Sequence, residues 1–132
     1  MTRLINRITG DQDGSVAVEA ALALPVLFIF FGAIIQLGLA IFIQVGVDHA
    51  TGEAARYATI YPSPSNSEIE AKARNSTFGG DVNAIRSVTV VRGTDDGRKY
   101  AEITMTYDHP LINWFVEGSS YRLSQTRRAY MP

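Results

Sequence analysis

The chain predicts an α+β fold, in which a long N-terminal transmembrane helix is followed by a small antiparallel sheet domain with one short helix. Three observations carry this reading. From Ala20 to Val47 no residue is charged, and such a helix, at about 1.5 Å per residue, reaches roughly 42 Å, more than the ~30 Å hydrocarbon core of a bilayer. Two β-branched stretches, Ile85 to Arg92 and Tyr100 to Tyr107, alternate at period two around Gly93-Thr94-Asp95-Asp96-Gly97. Between helix and strands, a serine-led segment carries Ile69 and Ala73 four residues apart.

At 132 residues, the chain has room for one small domain beside the membrane segment. The net charge of −1 gives no reason to expect a nucleic-acid partner. There is no cysteine, so disulfide scaffolds, thiolate metal sites and thiol catalysis are excluded.

Residues 1–14 read as a short polar leader, with turn chemistry in Asp11-Gln12-Asp13-Gly14. This is not the pattern of an ordinary secretory signal, whose apolar region spans ~7–15 residues. A rival cut after Ala40, with Gly38 at the −3 position, is opposed by Gln36 and by the continuing Ile41-Phe42-Ile43 run. Arg3 and Arg7 favour a cytoplasmic N-terminus, with the bulk of the chain crossing the membrane.

Residues 15–60 read as one helix, with its transmembrane part at about 20–47. Ser15 is its expected N-cap. Glu19 sits in the first turns, where a carboxylate favours the positive helix end; a helix-start acid is the plain reading of that residue. Pro25 removes one backbone hydrogen bond and is expected to kink the helix near Ala21 to Leu24. Gly32, Gly38 and Gly46, with Gln36 and Gln44, offer small and amide side chains for helix packing, without a strict Gly-xxx-Gly pattern. Past Asp48 the helix turns amphipathic: Val47, Ala50, Ala54, Tyr57 and Ala58 share one face, expected to pack on a soluble domain.

Residues 61–132 form that domain. Tyr61-Pro62-Ser63-Pro64 stops the helix. Ser65 or Ser67 caps the short second helix, with Ile69, Ala73 and Phe78 inward and Gly79-Gly80 as its end. The two strands follow, with Gly93 to Gly97 as hairpin loop. Asp108-His109-Pro110 is expected to break the second strand, Leu111 to Val116 to plug the core, and Ser119 to Ala129 is a candidate third strand.

Motifs for catalysis are missing. His49 and His109 stand in no metal-ligand spacing and read as polar surface, and Arg127-Arg128 reads as a solvated strand end. Asp95-Asp96-Gly97 begins like a calcium loop but has no glutamate where such a loop closes. There is no phosphate loop, nucleophile elbow or interpretable carboxylate pair. No cofactor is expected.

Gly14, then Glu19 five positions on, then a long apolar helix, resembles the type IV prepilin signature. Gly14-Ser15-Val16-Ala17-Val18-Glu19-Ala20-Ala21-Leu22, with Leu24-Pro25 beyond, resembles the TadE family, the minor pilin-like proteins of tight-adherence (Flp) pilus systems. The likeness is specific over about Asp13 to Leu27. It implies a structural minor pilin or pseudopilin acting in pilus assembly and adhesion, and not an enzyme. It implies cleavage between Gly14 and Ser15 by prepilin peptidase, and pairing of Glu19 with the N-terminal amine of a neighbouring subunit. The implied partners are prepilin peptidase, other pilin and minor pilin subunits (TadF-like and Flp-like), the assembly platform and the inner membrane. The C-terminal domain would lie in the periplasm and then on the pilus. Ala20 departs from Flp-type signatures, many of which have an aromatic there. The other reading of the residues is a single-pass inner-membrane protein whose periplasmic domain binds a partner.

Overall fold

The computed structural model describes residues 12–110 and 120–132, with side chains from residue 14 onward. The leader up to Asp11 and the Leu111–Val116 segment, read above as a core plug, lie outside the described residues. The elements are helix α1 (Gln12–Ala58), helix α2 (Asn66–Asn75), a single 3-10 turn (Val82–Ala84), and strands β1 (Ile85–Asp95), β2 (Arg98–Pro110) and β3 (Ser120–Tyr130). The chain divides after Leu37 into two compact units.

The first unit holds the N-terminal part of α1. Helix begins at Gln12, not at Ser15, and residues 12–14 are helical instead of forming the expected turn. With Gly14 still joined, Ser15 is an interior residue and has no end to cap. One interior glycine costs a helix only about 1 kcal/mol. The helix stays α-helical through Pro25. Its large apolar side chains point outward on every side, among them Val16, Leu22, Phe28 and Ile35. A water-facing helix keeps its apolar residues in one stripe. This one matches a helix surrounded by lipid or by other apolar helices.

The second unit begins at Gly38 and contains one core. The last third of α1 contributes Ile43, Val47, Ala50, Thr51, Ala54, Ala55 and Ala58, all buried at three- and four-residue steps. The small alanines bring the helix backbone close to the sheet. The Thr51 hydroxyl, fully buried, donates to the Val47 carbonyl at 3.0 Å and so carries no desolvation penalty. Tyr57, expected on the same face, is half-buried. α1 ends at Ala58, two residues short of Ile60. Thr59 and Ile60 bond back to the Arg56 and Tyr57 carbonyls at 3.2 and 3.1 Å, a tightened last turn.

The sheet runs β1-β2-β3, antiparallel throughout. β2 is central and alternates strictly, with Ala101, Ile103, Met105, Tyr107 and His109 on the buried face. In β1 the register shifts between Ile85 and Ser87, so Ile85 and Val88 both face the core. The connection between β1 and β2 is shorter than expected. Asp95 pairs with Arg98, leaving only Asp96 (φ 48°) and Gly97 (φ 75°) in the turn, and two positive φ angles make it a type I′ hairpin. Gly93 is therefore in β1, and its missing side chain makes room for the Tyr100 ring, whose hydroxyl would lie 2.4 Å from a Cβ there.

Asp108-His109-Pro110 does not break β2. Pairing with β3 continues to Pro110 opposite Ser120. β1 pairing has already stopped at Tyr107, so Pro110 has a strand on one side only, where a missing N–H is tolerated. His109 is 4% exposed, which corrects the polar-surface reading.

α2 covers β1. Ser65 caps it, accepting from Glu68 N–H at 3.3 Å while the Glu68 carboxylate accepts from Ser65 N–H at 2.7 Å. Ile69 and Ala73 are fully buried. Phe78 lies beyond the end of α2 and is 40% exposed, so it is not part of the core. Arg92, from β1, ties the preceding loop down by donating to Asn66 Oδ1 at 2.7 Å, to Ser63 Oγ at 3.3 Å and to the Pro64 carbonyl.

Candidate functional site

Gly14, Ser15, Glu19 and Pro25 all lie on α1, and all four are exposed. Ser15 and Glu19 are four residues apart, so they share a face and differ in height by about 6 Å. A Cβ added at Gly14 would meet no atom within 4 Å. The Gly14–Ser15 peptide therefore sits in an open, uncrowded stretch of helix.

Glu19 is seven residues inside α1, because the helix starts at Gln12. The stabilising field of a helix N-terminus fades within the first turn. The plain explanation of a helix-start acid thus loses its basis while the leader is attached. The Glu19 carboxylate has no ion pair or hydrogen bond to any other described residue. It lines a shallow, open groove together with Ala20, Ala23, Leu24, Leu27 and Phe30. The result is an uncompensated carboxylate beside a strip of small and apolar side chains.

The second unit carries its charges differently, in pairs across elements. Asp108, on the outer face of β2, accepts from Arg122 Nε on β3 at 2.9 Å and from Arg86 on β1 at 3.0 Å, bridging all three strands. The hydrogen bonds from Arg122 and Arg86 hold its carboxyl below the usual carboxylate range. Glu53 on α1 is lowered by its bond from Arg56, and Glu68 by its bonds from Ser65. Burial pushes the Tyr107 phenol up. Arg128 donates to Glu102 at 2.9 Å and lies 4.3 Å from the centre of the Tyr100 ring. Arg127 reaches Asp48 of α1. Neither arginine is the free, solvated strand end that the sequence suggested. These non-local partners, 79 residues apart for Arg127 and Asp48, leave no mark in local spacing.

Among the described residues, no group of three His, Cys, Asp or Glu side chains is placed to hold a metal ion. α1 is long and apolar enough to cross a membrane.

Residues 14–56 match a protein family described as TadE-like protein, associated with Tad pilus systems. The matched stretch begins at Gly14 and ends two residues before the end of α1. No curated protein and no solved structure matches the chain.

Proposed function

We propose that this chain, TadE-like over residues 14–56, is a structural minor pilin or pseudopilin of a Tad/Flp-type pilus. It enters the inner membrane with its N-terminus in the cytoplasm, and prepilin peptidase cuts it between Gly14 and Ser15. Its C-terminal domain then faces the periplasm and, after assembly, the fibre surface. It acts as a subunit, not as an enzyme.

The observation that carries this reading is the setting of Glu19. A carboxylate at the edge of an uncharged run becomes expensive when neighbouring apolar helices pack around it and exclude water, unless an opposite charge is near. Within its own chain Glu19 has no such partner among the described residues. Cleavage after Gly14 creates one on every subunit, a positive amine at Ser15. Two opposite charges in a low-dielectric setting attract strongly, and each alone is penalised, so pairing between neighbours fixes subunit register. The groove of Ala20, Ala23 and Leu27 beside Glu19 suits a second apolar helix lying alongside.

Two substitutions test this. Gly14→Ala is expected to block processing, and the open space at that position means that failure would not come from misfolding. Glu19→Ala is expected to leave processing intact while removing the subunit from assembled pili. Normal incorporation of Glu19→Ala would overturn the pairing role.

A further inference from the structure

We infer that the Phe78-Gly79-Gly80 turn is a second membrane contact, which seats the C-terminal domain on the bilayer surface through the Phe78 ring. This rests on α1 being a membrane anchor. It adds a contact by a residue far from the anchor in sequence.

Three close approaches lock the turn in place. A Cβ on Gly46 would lie 2.0 Å from the Phe78 carbonyl oxygen, so the turn rests directly on the backbone of α1. A Cβ on Gly79 would lie 2.7 Å from the Phe42 ring, and Gly79 also has φ +82°, a conformation that favours glycine. A Cβ on Gly80 would lie 2.4 Å from the Tyr107 hydroxyl. The Phe78 ring sits 5.9 Å from Phe42 and 5.4 Å from His49, at the level of the α1 turn that holds Gly46. Held this way, the ring has no route into the core, yet it remains 40% exposed.

The charge pattern identifies what it faces. Phe78 lies beside the last turn of the uncharged run, which ends at Val47; Asp48, the first charge, is already paired with Arg127. That run is about 42 Å long, the thickness of a bilayer with its headgroup layers, against ~30 Å of hydrocarbon. Its last turn therefore falls in the interfacial layer, where aromatic side chains gather. Ile41, Phe42 and Val45 are 54%, 51% and 53% exposed at the same level. The ring extends that apolar collar sideways from the helix. A lipid surface is the occupant that this continuity selects.

Depth-dependent quenching in lipid vesicles tests the inference. The chain's single tryptophan, Trp114, is replaced by Phe, and one tryptophan is introduced in its place at Phe78, Phe30 or Thr94. Thr94 lies near the β1–β2 turn, beyond the end where Arg92 meets Pro64. The full-length variants are reconstituted in phosphatidylcholine–phosphatidylglycerol vesicles whose acyl chains carry bromine near the headgroup or near the terminal methyl. Phe78→Trp is expected to emit at shorter wavelength than Thr94→Trp and to be quenched by the shallow bromines. Phe30→Trp is expected to be quenched by the deep bromines, and Thr94→Trp by neither. If Phe30→Trp is quenched and Phe78→Trp behaves like Thr94→Trp, the anchor stands and this inference falls. If Phe30→Trp escapes quenching, α1 does not span the bilayer and both fall.

Discussion

Arg127 on β3 grips Asp48 on α1 with one guanidinium nitrogen, 2.7 Å from Oδ1 and 3.0 Å from Oδ2. Asp48 is the first charge after the apolar run, so this pair ties the sheet to the helix at the point where the helix becomes polar. Both side chains are about half exposed, which limits the energy of the pair. Arg127→Gln is expected to destabilise the domain by less than about 1 kcal/mol. A double-mutant cycle with Asp48→Asn in detergent, read by denaturant titration, measures the coupling, and a value of zero would show that the contact is incidental.

Gly46 and Gly52 lie on the same helix and should respond oppositely. Gly46→Ala drives a methyl into the Phe78 carbonyl and is expected to cost about 1–3 kcal/mol through displacement of the turn. Gly52→Ala meets nothing within 4 Å and is expected to stabilise the helix by up to about 1 kcal/mol. Thermal unfolding of the two variants decides the matter, and a shift of the same sign in both would contradict the close approach at Gly46.

Asp108 gives the domain an acid sensitivity. Its carboxyl titrates lower in the folded state than unfolded, so its stabilisation is full above the unfolded carboxylate range, near pH 4. It is lost as pH falls through the lower, folded value. The stability gap between wild type and Asp108→Asn should thus be constant near neutrality and close below about pH 4. A gap independent of pH would remove the Arg86–Asp108–Arg122 bridge from the account.

Ile103 is fully buried at the centre of β2, between Val90 and Arg127 in register. Ile103→Ala is expected to cost about 2–5 kcal/mol, and Thr104→Ala, which removes the 3.0 Å hydroxyl contact with Thr126 on the outer face, much less. Equal effects from the two would mean that the sheet faces are assigned wrongly.

Features written in local spacing were legible before the structure. Val47, Ala50, Ala54 and Ala58 announce their face at three- and four-residue steps, and all four are fully buried. A serine cap for the second helix reads from Ser65 or Ser67, and Ser65 fills it, closed by Glu68 as a capping box. Gly93 to Gly97 reads as a hairpin loop; the hairpin is there, but only Asp96 and Gly97 form its turn. Local spacing misleads where a distant partner decides. Pro110 continues a strand because only β3 flanks it there. Phe78 looks like a core residue until Gly46 and Phe42 are seen to hold it at the surface. Of the candidate site, the Gly14–Glu19 spacing was visible in sequence. The depth of Glu19 within α1 was not, since it depends on a helix that starts at Gln12.

The most direct test of the central claim is the N-terminal residue of the protein recovered from cells with and without the cognate prepilin peptidase. Ser15 is expected when the peptidase is present and Met1 when it is absent. Met1 in both would contradict processing after Gly14 and leave a plain membrane anchor.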